Sequence, residues 1–112
     1  MRHRVVLVPF PFDDLSGSKV RPAVCLTDAV GAHRHVVLAF ITSTVPSRLE
    51  PTDVLFDPGG ADFARSGLRV RSALRIHRMV TVSATIIQRQ LGVLTPNLQA
   101  QVQQRLRTLF AL

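Results

Sequence analysis

Short apolar runs separated by polar, glycine or proline breaks occupy most of the chain, and each run has the length of a strand. Rich in valine, isoleucine, leucine and threonine, these runs predict β-strands over residues 4–9, 22–27, 35–42, 52–56 and 72–82. Pro9 and Pro11 are expected to end the first strand, because proline cannot donate a hydrogen bond to a sheet. The break at residues 57–60 precedes one helical turn predicted over residues 61–66.

The pattern changes to a helical period only near the carboxyl end. Thr95 is a candidate N-cap and Pro96 suits the first helical position. Apolar side chains then recur on one face: Leu98, Val102, Leu106, Leu109 and Phe110. A further short helix is predicted over residues 85–90. Five or six short strands and one terminal amphipathic helix predict a mainly β fold, a small and strongly curved antiparallel sheet or barrel carrying that helix.

A chain of 112 residues has room for one domain, predicted to span residues 1–112. No apolar run approaches the ~20 residues that span a bilayer, and no secretion leader opens the sequence, so a cytoplasmic protein without membrane contact is expected. The single Cys25 lies in an apolar run and is predicted to be a buried hydrophobic residue. The four histidines show no metal-ligand spacing, so neither a metal nor a cofactor is expected.

Charge divides the chain into two unequal parts. All seven carboxylates precede residue 63, and eight arginines with no acid follow it, within a net charge of +7. Five of those arginines crowd into one short segment: Arg65, Arg69, Arg71, Arg75 and Arg78. Such a density predicts a polyanionic partner, and arginine favours forked contacts to phosphate. Arg105 and Arg107 are expected to be ordinary solvent-exposed surface.

Common catalytic motifs are missing from the sequence. There is no Gly-x-Ser-x-Gly nucleophile elbow and no phosphate loop ending in Gly-Lys-Ser or Gly-Lys-Thr. Asp13 and Asp14 are adjacent and more simply explained as turn formers than as an acid/base pair. A pair of histidines including His77 stays open as a metal-free route to RNA cleavage.

Cations and hydroxyls instead collect at the ends of predicted strands. Arg21 opens one strand after the polar loop at residues 13–19, and Thr42 stands where the run at residues 36–41 ends. Adjacent strands would bring a guanidinium and a hydroxyl together, which suits a phosphate. A structural alternative is equally open: Arg21 pairs with Asp13 or Asp14 across the loop, and Thr42 caps a turn.

Several motifs, in order, resemble those of one known family. The amino-terminal segments are Val8-Pro9-Phe10-Pro11-Phe12, Leu15-Ser16-Gly17-Ser18-Lys19 and Arg21-Pro22-Ala23-Val24. Later matches are Phe40-Ile41-Thr42-Ser43, Ser66-Gly67-Leu68, Ser72, Thr81 and Leu91-Gly92-Val93-Leu94. Together they resemble the MazF/PemK toxins of bacterial type II toxin–antitoxin systems, over nearly the whole chain. One departure is His3-Arg4 before the first strand, where many relatives have Gly-Asp.

The resemblance implies an SH3-like barrel of the CcdB/MazF/PemK toxin type. It also implies a homodimer that binds single-stranded RNA and is held inactive by a cognate antitoxin. The implied activity is metal-independent, sequence-specific endoribonuclease action on RNA, mRNA above all, with Arg21 and Thr42 carrying catalysis. Nearness to the matched positions adds candidate RNA contacts: Ser18, Lys19, Ser43, His77 and Arg78.

Two other functions stay open at this point. A CcdB-like poison would bind a protein target without catalysis and would not need Arg21 and Thr42. A nucleic-acid-binding module without turnover would need only the arginine-rich segment. Toxicity retained without Arg21 and Thr42 would favour the first, and salt-sensitive binding without cleavage would favour the second.

Overall fold

The computed structural model describes residues 1–10 and 19–112 and has six strands and two helices within them. The strands are β1 (Arg4–Phe10), β2 (Lys19–Cys25), β3 (His35–Thr42), β4 (Asp53–Phe56), β5 (Ser72–Ser83) and β6 (Arg89–Val93). The helices are α1 (Phe63–Ser66) and α2 (Pro96–Phe110), and a 3-10 turn covers Ala84–Ile86. The mainly β prediction is confirmed.

All six strands form one antiparallel sheet in the order β4-β5-β3-β2-β1-β6. The sheet curls into a half-barrel, with β4 and β6 as its edges. The short helix α1 follows β4 in the chain and packs against β6, so it bridges the two edges.

Both faces of the sheet carry buried apolar side chains. On one face, Leu74 and Ile76 of β5 belong to the same cluster as Leu98 and Val102 of α2. The other face gathers a second cluster from the first three strands and is covered by residues around the 3-10 turn. Because a strand turns alternate side chains to opposite faces, both clusters draw on the same strands.

Gly67 and Gly92 form the contact between α1 and β6. A Cβ added at Gly67 would overlap the carbonyl oxygen of Leu91, and one added at Gly92 would overlap the carbonyl oxygen of Arg65. Gly67 also has a φ of +75°, the left-handed conformation that closes α1. The two backbones therefore meet where neither residue can carry a side chain.

Three local expectations were wrong. Pro9 does not end β1, which continues to Phe10, because Pro9 lies beyond the last β1 residue paired with β6, Leu7. The predicted helix at residues 85–90 is a 3-10 turn followed by β6, which pairs with β1. On α2, Leu98 and Val102 are buried as expected, but Phe110 at the end of the helix is 56% exposed.

Candidate functional site

Antiparallel pairing brings the predicted strand ends to one end of the half-barrel. We call this end the rim. It comprises the ends of β1 at Phe10 and β3 at Thr42 and the starts of β2 at Lys19, β5 at Ser72 and β6 at Arg89. The rim therefore collects residues that are far apart in the sequence.

Arg21 and Thr42 come together at the rim through strand register. Ala23 of β2 pairs with Phe40 of β3, and Arg21 and Thr42 each lie two residues beyond that pair, towards the rim. On its other side, Arg21 faces Val8 of β1. Since alternate residues of a strand point to the same face, Arg21 and Thr42 lie on the face that carries Ala23 and Phe40, at the same end of adjacent strands.

The two side chains differ in how they are held. Arg21 is half-buried, its Nε atom is buried, and the following Ala23 is fully buried in the sheet. The Thr42 hydroxyl accepts a hydrogen bond from the Thr44 amide at 3.1 Å and donates a long one to the Thr44 carbonyl at 3.4 Å. The turn-capping role expected for Thr42 is therefore present. A hydroxyl has two acceptor lone pairs and a rotatable proton, so this cap leaves Thr42 able to bind a ligand oxygen.

Two of the other predicted RNA contacts also lie at the rim. Lys19 begins β2 and Ser43 directly follows β3, and both are exposed at the rim. Ser18 lies outside the described residues, as do Asp13 and Asp14, the loop partners considered for Arg21.

His77 and Arg78 occupy a bulge in β5, further from the rim. Phe40 pairs with Arg75 but the preceding Ala39 pairs with Met79, so three residues of β5 have no partner in β3. A bulge bends a strand and redirects its side chains, and His77 and Arg78 are both exposed there. The bulge begins directly after Arg75, two residues beyond the Ala73 that pairs with Thr42, so His77 and Arg78 lie further along the strand that borders Thr42.

An ion-pair cluster centred on Asp53 escaped the sequence analysis. The Asp53 side chain is fully buried; its Oδ1 accepts a hydrogen bond from Arg75 Nε at 2.8 Å and its Oδ2 accepts one from the Glu50 amide at 2.8 Å. His77 Nδ1 lies 4.0 Å from Oδ1. Asp53 stands at the start of a predicted strand, and no sequence signal told a buried carboxylate from a solvated one.

Arg105 corrects a second expectation. Predicted to be plain surface, it is half-buried, and its Nε donates a hydrogen bond to the Asp53 carbonyl at 3.2 Å. The arginine-rich segment is likewise not uniform. Arg75 is committed to the ion pair, whereas Arg65, Arg69 and Arg71 are exposed. The clustering of these five arginines in the sequence suggested one shared role, and the fold separates them.

Other chemistry finds little support near the site. Cys25 is completely buried, and burial raises the pKa of its thiol, so it is a core residue rather than a nucleophile. Over residues 1–10 and 19–112, no group of three or more histidine, cysteine or acidic side chains is placed to hold a metal ion. No helix in the same ranges has the length and apolar character needed to cross a membrane.

Comparison with solved structures shows where this fold occurs. An endoribonuclease from mycobacterial species, solved in complex with its cognate antitoxin, shares 20% identity and a TM-score of 0.73, covering 100% of this chain and 95% of that one. The Mycobacterium tuberculosis toxin MazF-mt6 shares 23% identity and a TM-score of 0.72, covering 97% of each chain. A MazE–MazF complex from Deinococcus radiodurans shares 18% identity and a TM-score of 0.71, covering 99% and 95%. At these identities the likeness establishes the fold.

Family membership comes from the sequence itself. A search of curated proteins finds no significant match. The model of the PemK-like, MazF-like toxins matches residues 1–110, which is nearly the whole chain. The chain therefore belongs to the PemK-like, MazF-like family of toxins of type II toxin–antitoxin systems.

Proposed function

We propose that this type II toxin is a metal-independent, sequence-specific endoribonuclease that cleaves single-stranded RNA, mRNA above all, and so inhibits translation and growth. The observation that carries the proposal is the pairing of β2 with β3, which puts Arg21 and Thr42 on the same face and at the same end of adjacent strands. A forked cation beside a hydroxyl can hold the oxygens of one phosphate group. Membership of the toxin family and the solved endoribonuclease with the same fold support the same conclusion.

The proposed chemistry uses the nucleophile that RNA carries. The 2′-oxygen forms a bond to the adjacent phosphorus as the bond from phosphorus to the 5′-oxygen breaks. The proton of the 2′-hydroxyl leaves, and the departing 5′-oxygen gains a proton. The products are a 2′,3′-cyclic phosphate and a 5′-hydroxyl. The protein needs to align these atoms and stabilise the negative charge of the phosphorane, and neither task requires a metal.

Arg21 is proposed to stabilise that charge. A guanidinium stays protonated at neutral pH, so Arg21 acts as an electrostatic clamp and not as a proton donor. Loss of one donor to a developing oxyanion costs about 10²–10³ in rate, or ~3–4 kcal/mol. Thr42 is proposed to hydrogen-bond a phosphate oxygen next to Arg21. Its bonds to Thr44 fix the hydroxyl oxygen in place.

The remaining proposed contacts extend the site along the RNA. Lys19 and Ser43 at the rim, with Ser18, would contact the nucleotides next to the cleaved bond, and His77 and Arg78 would contact a more distant part of the strand. We further infer a homodimer and a cognate antitoxin that covers the RNA-binding surface. Solved relatives with this fold include two toxins in complex with antitoxins.

Incubation of the purified protein with a long transcript in EDTA tests the activity. We expect discrete fragments ending in 2′,3′-cyclic phosphate, and Arg21→Ala should slow their formation by about 10²–10³-fold. Arg4→Ala is the matched control, because Arg4 is exposed at the start of β1, at the opposite end of the strand from the rim. Its cleavage rate should equal that of the wild type.

Thr42 is tested by separating its hydroxyl from its shape. Thr42→Val keeps the branched side chain and loses the hydroxyl, so cleavage should fall, whereas Thr42→Ser should retain most of it. Intact RNA in the presence of folded wild-type protein would contradict the proposal. Retained toxicity in cells of the Arg21→Ala, Thr42→Val double variant would point instead to a non-catalytic poison.

A further inference from the structure

A second cation lies beside the Arg21 and Thr42 pair on the same face of the sheet. Thr42 pairs with Ala73 of β5, and Arg75 is two residues further along that strand, opposite Phe40. Two residues along a strand cover about 6.8 Å. Alternation places Arg75 on the face that carries Thr42 and, through the register with β2, Arg21. The Cα atom of Arg75 therefore stands about one nucleotide step from that of Ala73, the β5 residue paired with Thr42.

Asp53 fixes the direction of this guanidinium. The carboxylate is fully buried and accepts the Arg75 Nε hydrogen bond at 2.8 Å, while the Glu50 amide holds its second oxygen at 2.8 Å. Within residues 1–10 and 19–112, neither terminal nitrogen of Arg75 has a hydrogen-bond acceptor, and its side chain is 22% exposed. One edge of the guanidinium is thus anchored, and its terminal nitrogens are open to an anion.

Two further basic side chains lie near the ion pair. Arg105 donates to the Asp53 backbone carbonyl at 3.2 Å, and His77 Nδ1 lies 4.0 Å from the Asp53 carboxylate. A buried ion pair alone adds little to folding stability, because desolvating both charges offsets their attraction. Asp53 therefore suits the positioning of the Arg75 guanidinium for an external anion better than it suits stabilisation of the fold.

We propose that Arg75, oriented by Asp53, binds a second phosphate of the RNA, next to the phosphate at Arg21 and Thr42. Arg75 is the contact residue, and Asp53 is a positioning residue that acts through it. The inference rests on the proposed endoribonuclease function for the identity of its ligand. Two phosphates held one step apart would fix the strand on both sides of the cleaved bond.

The test uses a short single-stranded RNA with 2′-O-methyl groups, which removes the nucleophile so that binding is measured without cleavage. Arg75→Gln should weaken binding about tenfold or more, because a charge-assisted contact is lost. The slope of log affinity against log salt should fall by about 0.7, the value for one phosphate contact on a single strand. Arg75→Lys keeps the charge without the fork and should lie between the wild type and Arg75→Gln.

Asp53→Asn tests whether Asp53 positions Arg75 or affects binding only through its charge, because the two roles change the affinity for RNA in opposite directions. Removing a negative charge should tighten RNA binding if only net charge matters, as expected for the matched control Glu50→Gln on an exposed side chain nearby. A positioning role predicts weaker binding instead. It also predicts that the Asp53→Asn, Arg75→Gln double variant binds no worse than Arg75→Gln alone. Circular dichroism at the assay temperature should show each variant to be folded.

The outcomes separate this inference from the function on which it rests. Unchanged affinity and salt slope in Arg75→Gln would overturn it, as would tighter binding by folded Asp53→Asn. If the Asp53→Asn chain does not fold, the Arg75→Gln and Arg75→Lys pair decides. Arg75-dependent binding without cleavage of unmodified RNA by the wild type would reject the endoribonuclease and keep the phosphate site. Cleavage of RNA at a rate that does not depend on Arg75 would keep the endoribonuclease and reject the phosphate site.

Discussion

Gly31 and Gly67 adopt nearly the same backbone conformation in different surroundings. Their φ angles are +77° and +75°, but a Cβ at Gly31 would have no atom within 4 Å, whereas one at Gly67 would overlap Leu91. A left-handed conformation costs an alanine about 1–2 kcal/mol, and forced overlap in a packed contact adds about 1–3 kcal/mol. A substitution at Gly31 therefore introduces backbone strain alone, whereas one at Gly67 introduces both strain and steric overlap.

Gly67→Ala should accordingly lower the free energy of unfolding by about 3 kcal/mol or more, and Gly31→Ala by about 1–2 kcal/mol. Urea unfolding followed by circular dichroism measures both. Equal losses in the two variants would show that the approach of α1 to β6 is not a tight contact.

Single residues also show how far sequence reasoning reached into the candidate site. Arg21 and Thr42 were singled out by residue type and resemblance, and the pairing of β2 with β3 places them at the same end of adjacent strands. Asp53 was missed because the burial of a carboxylate depends on the strand it pairs with, and that strand is about twenty residues away. The role of Arg75 was hidden among four other arginines for the same reason.

At the scale of the elements, α2 illustrates a local signal completed by a distant partner. Thr95 caps the helix by accepting from the Leu98 amide at 3.3 Å, as its sequence position predicts. Its hydroxyl also donates to Asp62 Oδ1 at 2.5 Å, and Asn97 donates to Asp62 Oδ2 at 2.8 Å. These bonds, that of Thr95 foremost, hold the pKa of Asp62 below its ordinary value of 3.8.

Thr95→Ala should remove the cap and destabilise the protein by about 1 kcal/mol near pH 7. A depressed folded-state pKa gives stability that is present above pH 3.8 and is lost as the pH falls through the lowered pKa. The loss of unfolding free energy caused by Thr95→Ala should therefore be smaller in acid than at pH 7. It should not reach zero, because the hydrogen bond from the Leu98 amide to Thr95 does not depend on pH.

Urea unfolding near pH 7 and at a few lower pH values, to about pH 3, checks this prediction. Thr108→Ala, on an exposed part of the same helix, is the matched control and should show no such pH dependence. A Thr95→Ala effect that is constant with pH would show that the Asp62 bond contributes nothing to stability.

Elements with a strong internal pattern were predicted best. The strand at residues 35–42 and the start of α2 were confirmed as stated. The polar segment that became β6 has little apolar alternation of its own, and it is a strand because the edge of β1 offers it hydrogen bonds. Pro9 can remain within β1 because β6 pairs with β1 only as far as Leu7, so no β6 residue needs a hydrogen bond from the Pro9 nitrogen.

At the scale of the whole molecule, the fold sorts the excess positive charge by position. Lys19, Arg21 and Arg89 lie at the rim, and Arg71 directly precedes Ser72, where β5 begins. Arg107 lies instead near the end of α2, which packs on the other face of the sheet. An arginine adds the same charge to the protein wherever it lies, but only an arginine near the rim can contact RNA bound there.

Arg71→Gln should therefore weaken binding of the 2′-O-methyl RNA and lower its salt slope by about 0.7, the value for one phosphate contact. Arg107→Gln removes the same charge and should change the slope much less. Fluorescence anisotropy over a series of salt concentrations measures both slopes. Equal effects would mean that binding senses the overall charge of the protein and not the rim.

The sequence by itself determined the classes of all elements except β6, the cap of α2, the cationic character of the second half and, through family motifs, the residue types at the candidate site. Each of these depends on neighbours within a few positions. Only the tertiary structure decided that Arg21 and Thr42 lie at the same end of adjacent strands, that Asp53 is buried against Arg75, and that Gly67 and Gly92 have no room for a side chain. Those facts follow from pairing between strands far apart in the chain, where the register, and not the local pattern, sets which side chains meet.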